Sequence, residues 1–302
     1  MRILSLFDWM ACWYEALQRA GIKIDNYYAS EIDKYAIQIA TKNHPDIEEI
    51  WDVCNIHYTN WYLSTYEKKE WWSTITNIAI WKIDLVIGWS PCQWFSVAGK
   101  MLNFDDPRSK LFFEFLRLKE EIKPKYFLLE NVKMKKERVD IISEYLGVQP
   151  IEINSSLVSW QSRKRLYWTN IPGITQPEDK GILLKDILEG KVDEKYYLTD
   201  AQIEMIRKRW GYENPLDKMD GDKKGKCYTL TTHTGKMSNG LKLVSEGDKI
   251  RKLTPIECER LQTLPDNYTE GVNDSQRYKM LWNWWTLDVI AHIFSFIPKE
   301  DD

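Results

Sequence analysis

Through the first 170 residues, short apolar runs of strand length alternate with helix-length amphipathic stretches. No other feature restricts the fold of this chain as much. Residues 2–7, 26–29, 84–87 and 126–129 read as strands. Residues 13–20, closed by Gly21, residues 33–42, ending before Pro45, and residues 111–121 read as helices. Strands and helices alternating at this spacing imply βαβ units and an α/β fold built on a doubly wound, mostly parallel sheet. Such sheets bind ligands beyond the carboxyl ends of their strands. Asp8, Glu31, Asp52, Cys92 and Glu130 all fall at or just after an expected strand end.

Beyond this region the pattern weakens. Residues 172–247 are rich in polar turns and read as an irregular insert with a few short strands. Regular structure returns at Thr254, expected to cap a helix with Pro255 at its first position, and residues 286–297 read as a final helix. At 302 residues with 43% apolar and 29% charged side chains, the chain has material for a sizeable core. A net charge of −3 argues against a wholly basic nucleic-acid coat protein but permits a local basic groove. Cations for one occur in four runs: Lys133, Lys135, Lys136 and Arg138; residues 163–165; Lys223, Lys224 and Lys226; and residues 249–252. No apolar run approaches the roughly 18 residues of a membrane span, and an acid at position 8 comes too early for a signal peptide. The five cysteines (12, 54, 92, 227 and 258) contain no C-x-x-C pair, so neither a disulfide framework nor a metal site is expected. A reduced, cytoplasmic protein without membrane contact follows. The first strand is not followed by G-x-G-x-x-G, which argues against a nicotinamide dehydrogenase.

The sharpest chemical element is Ser90-Pro91-Cys92-Gln93, in a turn after the strand at 84–87. A Cys there is aimed and exposed as a nucleophile must be, whereas a lone Cys is more often a small buried hydrophobe. That blander reading stands for Cys12, Cys54, Cys227 and Cys258. Glu130-Asn131-Val132 follows the strand at 126–129, so its carboxyl is expected over the same sheet edge, desolvated enough to hold and donate a proton. Alone it would read as a solvated loop acid. In Gln161-Ser162-Arg163-Lys164-Arg165, the two arginines share a face if the segment is extended, as a clamp on phosphate or carboxylate would. The alternative is a solvated basic edge strand.

With these residues in place, the chain resembles the DNA cytosine-5 methyltransferases of bacterial and phage type over almost its whole length. The matching motifs, in the family's order, are Leu6-Phe7-Asp8, Ala29-Ser30-Glu31-Ile32-Asp33, Asp52-Val53, Gly88-Trp89-Ser90-Pro91-Cys92-Gln93 and Glu130-Asn131-Val132. They continue with Gln161-x-Arg163-x-Arg165, Leu253-Thr254-x-x-Glu257-x-x-Arg260-x-Gln262-x-x-Pro265 and Asn283. The resemblance implies a Rossmann-like S-adenosylmethionine-dependent methyltransferase fold, with a catalytic domain at 1–171, a short target recognition domain at 172–250, and residues 251–302 returning to the catalytic domain. It implies a covalent adduct between Cys92 and a cytosine flipped out of double-stranded DNA, with Glu130, Arg163 and Arg165 as the other catalytic residues. Phe7, Asp8, Trp9, Glu31, Ile32, Asp52, Val53, Gly88, Pro91, Leu111 and Asn283 would line the cofactor. Gln93, Ser96, Gln161, Arg163 and Arg165 would meet DNA. It further implies a monomer that needs no metal, working in a bacterial or phage-infected cell, with a cognate restriction endonuclease as a possible partner. A transfer-RNA substrate ranks low, because the Cys-Phe-Thr segment of that branch is missing.

One departure from the family recurs. The resemblance implies glycine at positions 9, 13, 51, 89, 94, 282 and 284, and tryptophan stands at all seven. The chain holds 15 Trp and only 14 Gly, where average usage of about 7% would give roughly 21 Gly. Two expectations compete. Either UGA codons meaning glycine have been written as tryptophan, or the tryptophans are real and the protein is an inactive DNA-binding relative.

Overall fold

The alternation of the first half becomes a seven-stranded sheet whose strands lie in the order 48–49, 26–30, 2–6, 85–89, 126–132, 164–169 and 151–154. The computed structural model describes residues 1–60, 62–68, 73–79, 82–89, 107–210, 226–228, 243–246 and 249–299. Its strands are β1 (Arg2–Leu6), β2 (Asn26–Ser30), β3 (Glu48–Glu49), β7 (Leu85–Trp89), β8 (Tyr126–Val132), β9 (Ile151–Asn154) and β11 (Lys164–Thr169). β3, β2, β1, β7 and β8 run parallel, and β11 lies antiparallel to β8. Strand order reverses between β1 and β7, so the switch point lies beside the segments that follow Leu6 and Trp89.

Buried alternation fixes this sheet. On one face Leu4, Leu6, Tyr28, Val86, Phe127 and Leu129 join Phe112 and Phe115 of α3 (Pro107–Ile122), Ile142 and Leu146 of α4 (Lys136–Leu146), and Trp168. Each such side chain contributes about 1.5–3 kcal/mol by leaving water. On α1 (Cys12–Arg19), Cys12, Trp13, Ala16 and Leu17 are buried; on α2 (Lys34–Asn43), Ala36, Ile39 and Ala40 are. Asp33 caps α2, accepting from the Tyr35 and Ala36 amides at 2.9 and 3.3 Å.

Three features depart from the sequence expectations. β7 continues through Gly88 and Trp89, where a turn was expected. β8 continues through Glu130 to Val132, because β11 pairs with these residues and carries the strand past its apolar run. Between β3 and β7 the chain also forms an antiparallel meander of β4 (Ile56–Thr59), β5 (Tyr62–Lys68) and β6 (Ser73–Ala79). Its strands are too rich in Ser, Thr and Asn to show clear alternation.

The chain divides into two compact units. The first comprises Met1–Ile153, Lys164–Thr175 and Ile290–Asp302; the second comprises Asn154–Arg163 and Gln176–Val289. Residues 251–289 thus group with the irregular insert, whereas the sequence reading placed them with the catalytic domain. Described elements of the second unit include β10 (Gln161–Ser162) paired with β12 (Cys227–Tyr228), and β13 (Leu243–Glu246) paired with β14 (Lys249–Lys252). It also holds α5 (Asp200–Trp210), α6 (Pro255–Leu261) and α7 (Asp274–Asn283). α6 begins as expected: Thr254 Oγ1 accepts from the Glu257 amide at 3.1 Å, and Glu257 returns a bond to the Thr254 amide at 2.9 Å. The last helix, α8, covers Leu287–Phe294.

Candidate active site

The carboxyl edge of the sheet in the first unit gathers the acids expected there. Glu130 lies on β8 directly opposite Trp89 of β7 and Tyr167 of β11. Its carboxylate is nearly buried, and Arg165 Nε sits 3.0 Å from Oε1. β7 ends at Trp89, three residues before Cys92. Pro91, Cys92, Gln93 and Ser96 lie outside the described residues, as does Trp94. The expectation that Glu130 and the segment leading to Cys92 share one edge rests on this adjacency of β7 and β8.

Arg163 behaves differently from Arg165. The extended segment breaks between β10 and β11, and the two arginines fall in separate units. Arg163 is buried, donates from Nη2 to the Trp282 carbonyl at 3.0 Å, and its amide donates to Asn154 Oδ1 at 2.9 Å. Arg163 is thus bonded within the second unit and Arg165 within the first. Gln161 is also fully buried, bonding Gln262 Oε1 at 3.2 Å, because it packs inside the second unit. One described cation from each of two basic runs is internal, although Lys249 of the second run is exposed. Lys226 donates to the Ser159 and Ile182 carbonyls, and Arg251 is buried against Glu257 at 2.8 Å. Lys133 pairs with Glu152 at 2.8 Å, while Lys135 is exposed.

At the ends of β1 and β2, Asp8 is fully buried. Its Oδ1 accepts from Ser5 Oγ and Tyr27 Oη, both at 2.5 Å, and its Oδ2 has no hydrogen-bond partner. Burial pushes its carboxyl up to about 6 despite those two bonds. Glu31 accepts from the Ile32 and Asp33 amides through Oε1, at 2.7 and 2.8 Å, and from the Trp9 amide through Oε2 at 2.9 Å. Burial raises its carboxyl as well. Ile32 stands 73% exposed beside it, an open apolar surface of the kind a flat base covers. Asp52 caps the turn after it, accepting from the Cys54 amide at 2.9 Å. Val53 is buried in the core and Leu111 packs against that core. Gly88 leaves no room for a side chain: a Cβ would meet the Leu6 carbonyl and the Phe115 ring, each at 3.1 Å. Asn283 closes α7 in the second unit.

Glu49 was missed from sequence. Register places Ser5, Ala29 and Glu49 in one row across β1, β2 and β3, on the face where Tyr27 and Ser5 hold Asp8. Both its carboxylate oxygens are buried without a hydrogen-bond partner. Burial first, then the charges of Asp8 and Glu31, push the carboxyl up to about 8. Only an acid next to apolar Ile50 hinted at it.

The C-5 cytosine-specific DNA methylase profile matches residues 1–142 and 157–299. The chain belongs to this family. It is 31% identical to the type II methyltransferase M1.ScrFI of Lactococcus lactis subsp. cremoris, over 86% of this chain and 69% of that protein. It is 28% identical to the type II methyltransferase M.NlaX of Neisseria lactamica, over 97% and 94%. The orphan methyltransferase M.SPRI of Bacillus phage SPR is 24% identical over 100% and 99%. In fold, the S. pombe Dnmt2 methyltransferase matches with a TM-score of 0.73 at 19% identity, over 98% of this chain and 97% of that one.

The family's methyl donor is S-adenosylmethionine. Glu31, Asp52 and exposed Ile32 suit a nucleoside, but the tryptophans at the switch point do not. Trp9 packs edge-on against Trp89 with centroids 6.3 Å apart, and Trp89 Nε1 donates to the Phe7 carbonyl at 2.6 Å. These indoles stand where β1 and β7 diverge, over the edge that a cofactor of this fold must reach. The residues present do not fit the cofactor. Among the described residues no group of His, Cys, Asp and Glu is arranged to hold a metal, and no helix is long and apolar enough to cross a membrane.

Proposed function

We propose that this chain modifies C5 of cytosine in double-stranded DNA, with Cys92 as the nucleophile and Glu130 as the acid. The observation carrying this reading is Glu130, buried, clamped by Arg165 at 3.0 Å and opposite the last residue of the strand that leads to Cys92. A base within a duplex offers no path to its C6, so the cytosine must first be flipped. The Cys92 thiolate then bonds to C6, the C5=C6 electron pair shifts toward C4 and N3, and N3 takes the proton held by Glu130. C5 becomes an enamine carbon able to attack an electrophile. Arg165 orients the Glu130 carboxyl; the resting pair is ionic, so Glu130 takes its proton from solvent as the flipped base enters and passes it to N3. The irregular insert is assigned to reading DNA, and the type II relatives suggest a cognate endonuclease.

The first half of this chemistry is testable without a methyl donor. Once Cys92 has added to C6, water can protonate C5, and elimination then exchanges the C5 hydrogen. Duplex DNA labelled at cytosine C5 should therefore lose label to solvent with this protein. Cys92→Ala should abolish exchange, and Glu130→Gln should slow it about 10²–10⁴-fold, the usual range for a positioned acid. Unchanged exchange in Cys92→Ala would end the reading. The Trp9–Trp89 contact favours a second one, an inactive DNA-binding relative, which requires DNA binding with no exchange at all.

A further inference from the structure

We infer that positions 9 and 51 are glycine in the protein the source cell makes, written as tryptophan because its UGA codons are read as glycine. Among the described residues, Trp9 has φ 59° and Trp51 has φ 61°. That region is open to glycine and strained for a bulky L-residue. Neither backbone can relax out of it. The Trp9 amide is tied to Glu31 Oε2 at 2.9 Å, and the amide just before, on Asp8, donates to the Ser30 carbonyl at 3.0 Å. At 51 the carbonyl accepts from Ser30 Oγ at 2.6 Å, between Ile50, whose amide bonds Ala29, and Asp52, which caps the next turn.

The side chain at 51 does not repay the strain, whereas the one at 9 is buried, 7% exposed, against Trp89. The Trp51 indole is 54% exposed, so it contributes little packing. The Trp9 indole instead covers the switch point where the family's cofactor must bind. Trp168 is the contrast. It lies in β11, fully buried in the core, with Nε1 donating to Ser143 Oγ at 2.9 Å. That is an indole the fold uses. At 9 and 51 the backbone is left-handed, as it also is at Phe7 and Ala11, whereas Trp13 and Trp284 are fully buried as Trp168 is and have no such backbone.

A single reassigned codon accounts for both left-handed tryptophans at once. Substitution one residue at a time would have to place the same bulky side chain at seven separate positions, two of them left-handed. Restoring seven glycines to the 14 present gives 21, close to the roughly 7% expected of an ordinary chain. With glycine at 9, the amide still bonds Glu31 and the edge above Asp8 and Glu31 opens. The misfit to S-adenosylmethionine is then a property of the written sequence rather than of the protein.

The gene itself gives the test, independent of folding. UGA at codons 9 and 51, and at 13, 89, 94, 282 and 284, with UGG at codon 168, is the expected result. Peptides from the source cell covering residues 8–13 and 50–52 should carry glycine in mass spectrometry. UGG at codons 9 and 51, or tryptophan in those peptides, would overturn the inference. As a second arm, the chain carrying glycine at all seven positions should bind S-adenosylmethionine in calorimetry and the tryptophan chain should not. Equal binding by both would overturn it too. Exchange at cytosine C5 reads Cys92 and Glu130 without the cofactor, so a failed methyltransferase reading and a failed codon reading give different results.

Discussion

Arg165 Nε and Glu130 Oε1 lie 3.0 Å apart across two antiparallel strands, with both side chains nearly excluded from solvent. An ion pair so enclosed is poor evidence of net stability, because desolvating the two charges offsets much of their attraction. It positions the carboxyl for use. Removing one partner strands the other.

Arg165→Met should therefore destabilise the fold by about 3 kcal/mol, the lower end for breaking a buried pair, and slow C5 exchange as well. Adding Glu130→Gln should recover much of the lost stability and none of the exchange. Urea melts of the four proteins in the cycle check this. A double variant no more stable than Arg165→Met alone would mean the pair is not coupled.

Glu49 sets a pH dependence of known sign. Its carboxyl is raised from 4.5 to about 8, and that of Asp8 from 3.8 to about 6, so the folded chain holds protons that the unfolded chain releases. Stability is then greatest below about pH 4 on this account and falls as pH rises through 6 and 8. Glu49→Gln keeps the size and removes the charge. Its Tm should decline less than that of the parent between pH 5 and pH 9. Parallel declines would show that Glu49 is already ionised at neutral pH.

Asp33 should act as an ordinary helix cap. Its carboxylate takes the Tyr35 and Ala36 amides at the start of α2, and Asp33→Ala should cost about 1 kcal/mol. The Asp33 amide also donates to Glu31 Oε1, but this backbone bond survives the substitution. C5 exchange should be unchanged. A large loss of exchange would mean that the cap holds the catalytic edge in place.

Much of this arrangement was legible in the sequence, for identifiable reasons. β1, β2, β7 and β8 are dense apolar runs, and Thr254-Pro255-x-Glu257 announces its own helix start through local bonds. What stayed hidden depends on partners distant in sequence. Glu130 lies within a strand because β11 pairs there, and Arg163 turns inward to a carbonyl 119 residues away. Lys226 and Arg251 read as groove cations because charge alone does not reveal a buried carbonyl or carboxylate waiting for it. Glu49 carries no motif; only the register across three strands brings it to the face of Asp8. Trp9 and Trp51 were suspect from the family pattern, and their backbone angles add a physical reason.

Opposite effects at two tryptophans provide the last prediction. Trp51→Gly relieves a left-handed conformation that costs an L-residue about 1–2 kcal/mol, and the exposed indole gives up little packing. Part of that gain returns as chain entropy, since glycine has more freedom to lose on folding. A net stabilisation of about 1 kcal/mol should remain, or no worse than neutrality. Trp168→Gly empties a fully buried site and strips Ser143 of its donor, so it should cost about 4 kcal/mol or fail to fold. Denaturant midpoints of the two single variants decide the matter. Loss of stability at both positions would show that the fold uses the indole at 51 as it does at 168, and the left-handed backbone there would no longer mark a glycine.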